Sequence, residues 1–300
     1  MRIGLMFGGS DTSLAGATAQ ARRAESSGFA TFWLPNIFGI DAITAAAIAG
    51  RDIGRIEFGT AVVPTYPRHP VALAQQALTA AAATGGRFTL GIGLSHKVVI
   101  ENMFGLDYSK PARHMREYLE VLTPLLRGEP AKHEGVEYRV NAGLAVPGAT
   151  HVPLLVAALG PVLLGLAGRL ADGTITWMTG PATLAKHIVP TLGRAASAAG
   201  RPTPRVVAGL PIALVRDAAA AREAIGKGFE IYGTLPSYRA MLDREGAAGP
   251  ADVALVGDEA ALRAQLGRLR DAGVTDFDAA VTAVEEGCEA RTLEFLASQV

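Results

Sequence analysis

Gly85-Gly86-Arg87-Phe88-Thr89-Leu90-Gly91-Ile92-Gly93 sets two glycines at the end of an alanine-rich segment and follows them with a short apolar run. The same grammar recurs along the chain. Glu25-Ser26-Ser27-Gly28 precedes Phe32-Trp33-Leu34, Gly54 precedes 56–63, Gly173 precedes 174–178 and Gly273 precedes 274–281. A helix that stops before a strand wants φ > 0 just beyond its last turn, and glycine adopts that conformation without steric cost. The runs that follow are apolar nearly throughout rather than alternating. Strands of that kind are covered on both faces, as in parallel sheets packed under helices.

Residues 3–7, 153–157 and 206–215 bring the expected strands to eight. Helices are predicted near 14–27, 41–50, 71–84, 111–126, 161–170, 183–199, 218–229 and 258–272. The clearest is 111–126, where Met115, Tyr118, Leu119, Leu122, Leu125 and Leu126 form one stripe and Arg113, Arg116, Glu117 and Glu120 lie off it. Asp258 is the expected N-cap of the last. Eight βα units in steps of roughly thirty residues make an α/β protein with a single parallel (β/α)8 TIM barrel, taken as one domain over residues 1–300. An open doubly wound sheet would have fewer units and usually a glycine-rich first turn. Two stretches exceed the minimal unit. Residues 95–110 follow strand four and are expected to form a substrate or cofactor lid. Residues 128–151, before strand five, are expected to hold a small hairpin or packing contact.

Composition narrows the function. Hydrophobic residues make up 49% of the chain and charged ones 19%, which suits a large buried core. Twenty-eight basic residues balance twenty-eight acidic ones, so there is no electrostatic footprint for nucleic acid or an anionic membrane. Cys288 stands alone and cannot close an internal disulfide. The longest apolar stretch, 152–170, is broken by two prolines and three glycines, too interrupted to span a membrane. The expectation is a soluble cytoplasmic protein.

Gly8-Gly9-Ser10 lacks the lysine and hydroxyl residue of a P-loop, and Gly91-Ile92-Gly93 has His96 where a dinucleotide fingerprint needs its third glycine. Both read as tight turns. Ala157-Ala158-Leu159-Gly160-Pro161 is a better phosphate candidate, because proline at a helix start leaves backbone N–H groups free for an anion. Trp177-Met178-Thr179-Gly180-Pro181 ends strand six with a second such turn. Prolines 64, 67 and 70 force an extended crossing after strand three, where His69 reads as a helix cap or packing residue. The six histidines show no metal-ligand spacing, so no metal is expected. No paired carboxylates are visible at strand ends, Ser95 has no nucleophile elbow around it, and Cys288 reads as packing. His96, just past strand four, is the candidate catalytic residue. A concave, mostly apolar site with backbone anion contacts suits a cofactor that brings its own chemistry.

Gly85–Gly93 resembles the GRFxLGxG strand-four signature of the bacterial luciferase-like superfamily. Gly59–Thr65 with His69-Pro70 is similar to its strand-three segment, Leu166–Gly173 to its LAGxxADG segment, and Phe29–Pro35 to the end of its strand two. Trp177–Pro181 is closer to the branch using the deazaflavin coenzyme F420 than to the FMN monooxygenases. The resemblance implies a homodimeric barrel holding the cofactor ring across its strand C-terminal ends. It also implies a non-prolyl cis peptide at Ala61–Val62, with Thr60–Ala61 the fallback register, behind that ring. Asn36, Gly93, Ser95 and His96 would lie near the ring. Ala158, Leu159 and Gly160, with Trp177, Met178, Thr179 and Gly180, would carry the two phosphate turns.

One departure stands out. The sugar-phosphate dehydrogenase branch has a glutamate after the strand-four glycines and a histidine after strand two, and here those positions hold His96 and Ile37. Sugar-phosphate oxidation is therefore disfavoured, and His96 becomes a proton donor or a partner of the ring. The expected function is F420-dependent hydride transfer to or from a small organic substrate. An FMN-dependent monooxygenase using oxygen, or a non-catalytic flavin or deazaflavin carrier, are the alternatives.

Overall fold

Eight parallel strands close on themselves in a computed structural model that describes residues 1–300. They are β1 (Arg2–Met6), β2 (Thr31–Leu34), β3 (Glu57–Thr60), β4 (Phe88–Gly93), β5 (Leu154–Val156), β6 (Gly173–Trp177), β7 (Arg205–Leu214) and β8 (Asp276–Val281). Each pairs with the next, and β8 returns to β1 with Gly4 beside Asp278. The (β/α)8 expectation holds. Val63–Pro64 resumes the β3 ladder against Ile92 and Gly93 after a two-residue break, and Leu255–Gly257 adds a short strand to the end of β7.

Helices cover the outside and begin where polar side chains cap them. Ser13 accepts from Gly16 N, Asp41 from Thr44 N and Asp258 from Ala261 N, each cap worth about 1 kcal/mol. His69 Nδ1 accepts from Val71 N at the start of Pro70–Ala83, which is the capping role expected of it. Gly28, Gly85, Gly86 and Gly273 take positive φ behind their helices, but Gly54 and Gly173 do not. Gly173 instead starts β6, where a Cβ would collide with the Arg205 carbonyl oxygen. The helix expected over 183–199 begins at Pro181, passes through a wider π turn at Leu184–Ile188 and resumes as Val189–Ala198.

The barrel is filled from its closed end upward. Arg205 on β7 pairs with Glu57 on β3 at 2.6 Å and Asp276 on β8 at 2.8 Å, and Arg2 on β1 bridges the same two carboxylates. These four residues open their strands, so the ionic cluster plugs the N-terminal end. Trp33, Leu155, Ile175 and Val207 pack together inside. Trp33 fits because β1 and β3 offer Gly4 and Gly59: a Cβ at Gly4 would lie 2.8 Å from Trp33 Nε1, and one at Gly59 would collide with the ring. With that end sealed, open space remains only toward the strand C-terminal ends.

Residues 128–151 do contain the hairpin, Ala131–Glu134 against Arg139–Ala142. Glu117 on Pro111–Leu126 holds its turn by accepting from Glu137 N at 2.7 Å and Tyr138 N at 3.2 Å. A further insertion escaped the sequence reading. After Ala218–Gly228 come two more helices, Glu230–Thr234 and Pro236–Glu245, the second ending on Gly246 at φ 77°. No helix is long and apolar enough to cross a membrane.

A candidate cofactor site at the strand C-terminal ends

β3 breaks at Ala61–Val62, a cis peptide in the register expected. Thr60 Oγ1 ties the break to β4, donating to the Gly91 carbonyl and accepting from Gly91 N, both at 2.8 Å. A Cβ at Gly91 would collide with the Thr60 carbonyl oxygen, and one at Gly93 would sit 2.8 Å from Val62 Cγ2. Gly91-Ile92-Gly93 is therefore not the tight turn expected of it. It is strand, and its glycines let the neighbouring break lie close. Gly9, at φ 84°, does turn.

Above this break a cavity of about 930 Å³ opens at the strand ends and runs toward the groove between Leu14–Ser26 and Cys288–Ala297. Nine of the thirteen expected site residues line it: Asn36, Ala61, Val62, Gly93, Ser95, His96, Leu159, Gly160 and Trp177. Asn36 also has a structural task, its Oδ1 accepting from Ala42 N at the start of Ala42–Asp52. Ser95 takes φ 60°, and its carbonyl accepts from Tyr108 OH at 3.3 Å, which ties 95–110 back over the mouth. Within that segment Val99, Phe104 and Tyr108 line the cavity, consistent with the lid expectation. Burial pulls the His96 pKa below its ordinary 6.5, so its imidazole is mostly neutral at pH 7.

The two phosphate turns fare differently. Leu159 and Gly160 line the cavity, and Pro161–Leu170 starts there without a side-chain cap. Ala158 is buried behind them. Thr179-Gly180 is not available as an anion turn, because Glu245 already fills it: its carboxylate accepts from Ala182 N at 3.0 Å and Thr183 N at 2.6 Å. Met178 and Thr179 are buried and do not reach the cavity, and Gly180 lies under the Glu245 side chain. A second chain segment has supplied the anion that this turn favours.

Several cavity residues were not foreseen. Tyr232 and Tyr238 come from the unexpected helical insertion, Phe229 from the end of the expected helix before it, and together they continue an aromatic arc around the mouth. Trp177 meets Tyr232 edge-on at 6.0 Å between centroids, Tyr232 meets Tyr238 at 5.0 Å, and Tyr238 meets His96 at 5.7 Å. Deeper in, Asp278 on β8 is fully buried and lines the cavity, and neither carboxyl oxygen has a protein partner. Burial alone raises its pKa well above 3.8. Its signal was present as Asp276-Phe277-Asp278: the period of a strand places both aspartates on one face. The two then diverge. At Asp276 burial would raise the pKa, but hydrogen bonds and charge from Arg205 outweigh it and hold the carboxyl below 3.8.

A family description named luciferase-like monooxygenase matches residues 2–286. The chain belongs to that family. Among curated relatives of this luciferase-like chain, a 5,10-methylenetetrahydromethanopterin reductase of Archaeoglobus fulgidus is 31% identical over 156 residues, covering 51% of this chain and 46% of the relative. An F420-dependent glucose-6-phosphate dehydrogenase of Microbacterium testaceum is 33% identical over 158 residues, covering 51% and 47%. The matched stretch thus spans about half the length of these relatives. Among solved structures, the coenzyme F420-dependent tetrahydromethanopterin reductase of Methanopyrus kandleri superposes with a TM-score of 0.82 at 21% identity, covering 100% of this chain and 98% of that one. That likeness speaks to the luciferase-like barrel fold.

Proposed function

We propose that this luciferase-like chain is an oxidoreductase that binds coenzyme F420 across the ends of β3–β6 and passes a hydride between it and a small organic substrate. The observation that carries the reading is the make-up of the cavity. It is large and mostly apolar, and His96 is the only histidine that lines it. Such a site suits a group that brings its own reactivity. The residues present fit a ring. Trp177 Nε1 and the Asp278 carboxyl, both on residues that line the cavity, are buried polar atoms without protein partners. The relative named for F420 and glucose 6-phosphate supports the cofactor assignment.

When bound, the deazaflavin supplies a two-electron hydride carrier that reacts poorly with oxygen. The chain does the rest. The uncapped start of Pro161–Leu170 at Leu159-Gly160 offers backbone N–H groups to a phosphate. Neutral His96 accepts a proton from a substrate hydroxyl or donates its N–H to a carbonyl. Phe229, Tyr232 and Tyr238 keep water from the mouth. His96 and Ile37 at the positions noted above direct the reading away from sugar phosphates. Residues 1–300 act as one domain, in a cytoplasmic homodimer.

Titration of purified apoprotein with F420 and FMN tests the cofactor. F420 is expected to bind tightly and FMN weakly, with no oxygen consumption when reduced FMN is supplied. Tight FMN binding with negligible F420 affinity would overturn this in favour of the FMN-dependent monooxygenase. Binding of F420 without a change of its redox state under any member of a broad panel of alcohols, ketones and enones would leave a carrier protein.

A further inference from the structure

Asp278 has no structural explanation. It stands in the interior of the barrel with both oxygens unpartnered, in a chain whose other buried aspartate, Asp276, is held by two arginines. Its neighbours across both ladders are glycines, Gly4 on β1 and Gly209 on β7. A Cβ at Gly209 would lie 3.5 Å from Asp278 Oδ2 and 2.9 Å from the Trp177 ring, so space beside the carboxyl is kept free. Trp177, from β6, is exposed to the same cavity and its Nε1 is also unpartnered. The plug at the strand N-terminal ends offers Asp278 no partner, since Arg2, Glu57, Arg205 and Asp276 are paired with one another, and the other charged residues lining the cavity are Arg23, Glu289 and Glu294. Buried polar groups in folded proteins are hydrogen-bonded almost without exception, so an orphan that opens onto a cavity points to a partner that arrives with the ligand.

We propose that Asp278 is the polar anchor of the cavity floor, a neutral carboxyl whose O–H and C=O pair with an imide edge of the bound ring. A protonated carboxyl presents one donor and one acceptor side by side. An imide N–H beside its C=O presents the complement, so two parallel hydrogen bonds form without placing a charge in the apolar floor. Flavins and deazaflavins share that edge, and the assignment rests on the ring-binding reading above while going beyond its choice of cofactor.

Two variants separate this role from a packing role. Asp278→Leu removes a desolvated polar group and is expected to raise the thermal midpoint while weakening F420 binding about tenfold or more. Asp278→Asn keeps a donor and an acceptor and is expected to stay within about threefold of wild type. A packing residue would move stability and affinity in the same direction. Infrared difference spectra give a readout independent of affinity. The wild type should show a protonated carboxylic C=O stretch that shifts when F420 binds and is missing from Asp278→Asn. Lumiflavin and its N3-methyl derivative probe the ring side. Methylation should weaken binding to wild type and make little difference to Asp278→Leu. A carboxyl band that ignores the ring, or equal F420 affinity in wild type and Asp278→Leu, would overturn the assignment alone. Failure of wild type to bind F420, FMN or lumiflavin would overturn the ring-binding reading and this assignment with it.

Discussion

Two aspartates two residues apart on one strand, Asp276 and Asp278, have opposite fates, and the difference lies wholly in what faces them. Arg2 and Arg205 meet the first; glycines and an indole surround the second. The consequence for stability has a definite sign. Asp278 holds its proton in the folded protein above the pH at which the unfolded chain releases it, near 3.8. Its contribution is therefore fully present below pH 3.8 and is lost as pH rises toward its folded pKa, at most about 1.4 kcal/mol per pH unit. Carboxylates with depressed pKa, Asp276 and Glu57, act in the opposite sense and mask this in the wild type alone. The difference between wild type and Asp278→Asn isolates it. Denaturant unfolding across pH 4–7 should show the variant gaining on the wild type as pH rises. A constant difference would mean that Asp278 ionises normally in the fold.

At the scale of elements, the legible parts were those with a local signal. Pro111–Leu126 and Pro161–Leu170 match their expected bounds because each opens on a proline and runs along one apolar stripe. The Ala61–Val62 register came from resemblance rather than from any local pattern. The insertion 229–249 was missed although Pro236 and Gly246 bracket its second helix, because Glu230–Thr234 is a single turn and Pro236–Glu245 has little apolar periodicity to announce it. Its anchoring could not be read at all, since Glu245 reaches the backbone of residues 182 and 183, more than sixty positions earlier. That distant contact also explains why the Thr179-Gly180 turn misled: the N–H groups were correctly located, but a carboxylate from the same chain had taken them. Glu245→Ala tests the anchor. Losing two charge-assisted bonds to a helix start should cost about 1–2 kcal/mol. Limited proteolysis should then cut within 229–249 before it cuts the barrel. Resistance equal to wild type would mean that aromatic packing of Phe229, Tyr232 and Tyr238 holds the insertion without it.

Across the whole molecule, the two ends of the barrel divide stability from chemistry. The charged groups at the N-terminal end are paired with each other, while Asp278 and Trp177 Nε1 on the cavity side are left without partners. In barrels of this kind the strand C-terminal face carries the site and the opposite face carries the fold. Arg205 is the sharpest test, since it reaches Glu57 and Asp276 at once and its guanidinium lies 5.3 Å from the Trp33 ring centroid. Burial would lower its pKa, but the hydrogen bonds and charges of Asp276 and Glu57 raise it, so it stays cationic. Arg205→Met keeps most of the side chain's apolar stem and removes the charge, leaving Asp276 with only the half-exposed Arg2 as cation. Breaking a buried ionic cluster from one side costs about 3–5 kcal/mol. Chemical denaturation should register a loss of that order, while F420 affinity measured under native conditions should stay within about twofold of wild type. A large drop in affinity from a protein still folded would mean that the plug sets the position of the cavity floor, and that the two ends of the barrel are coupled through Trp33.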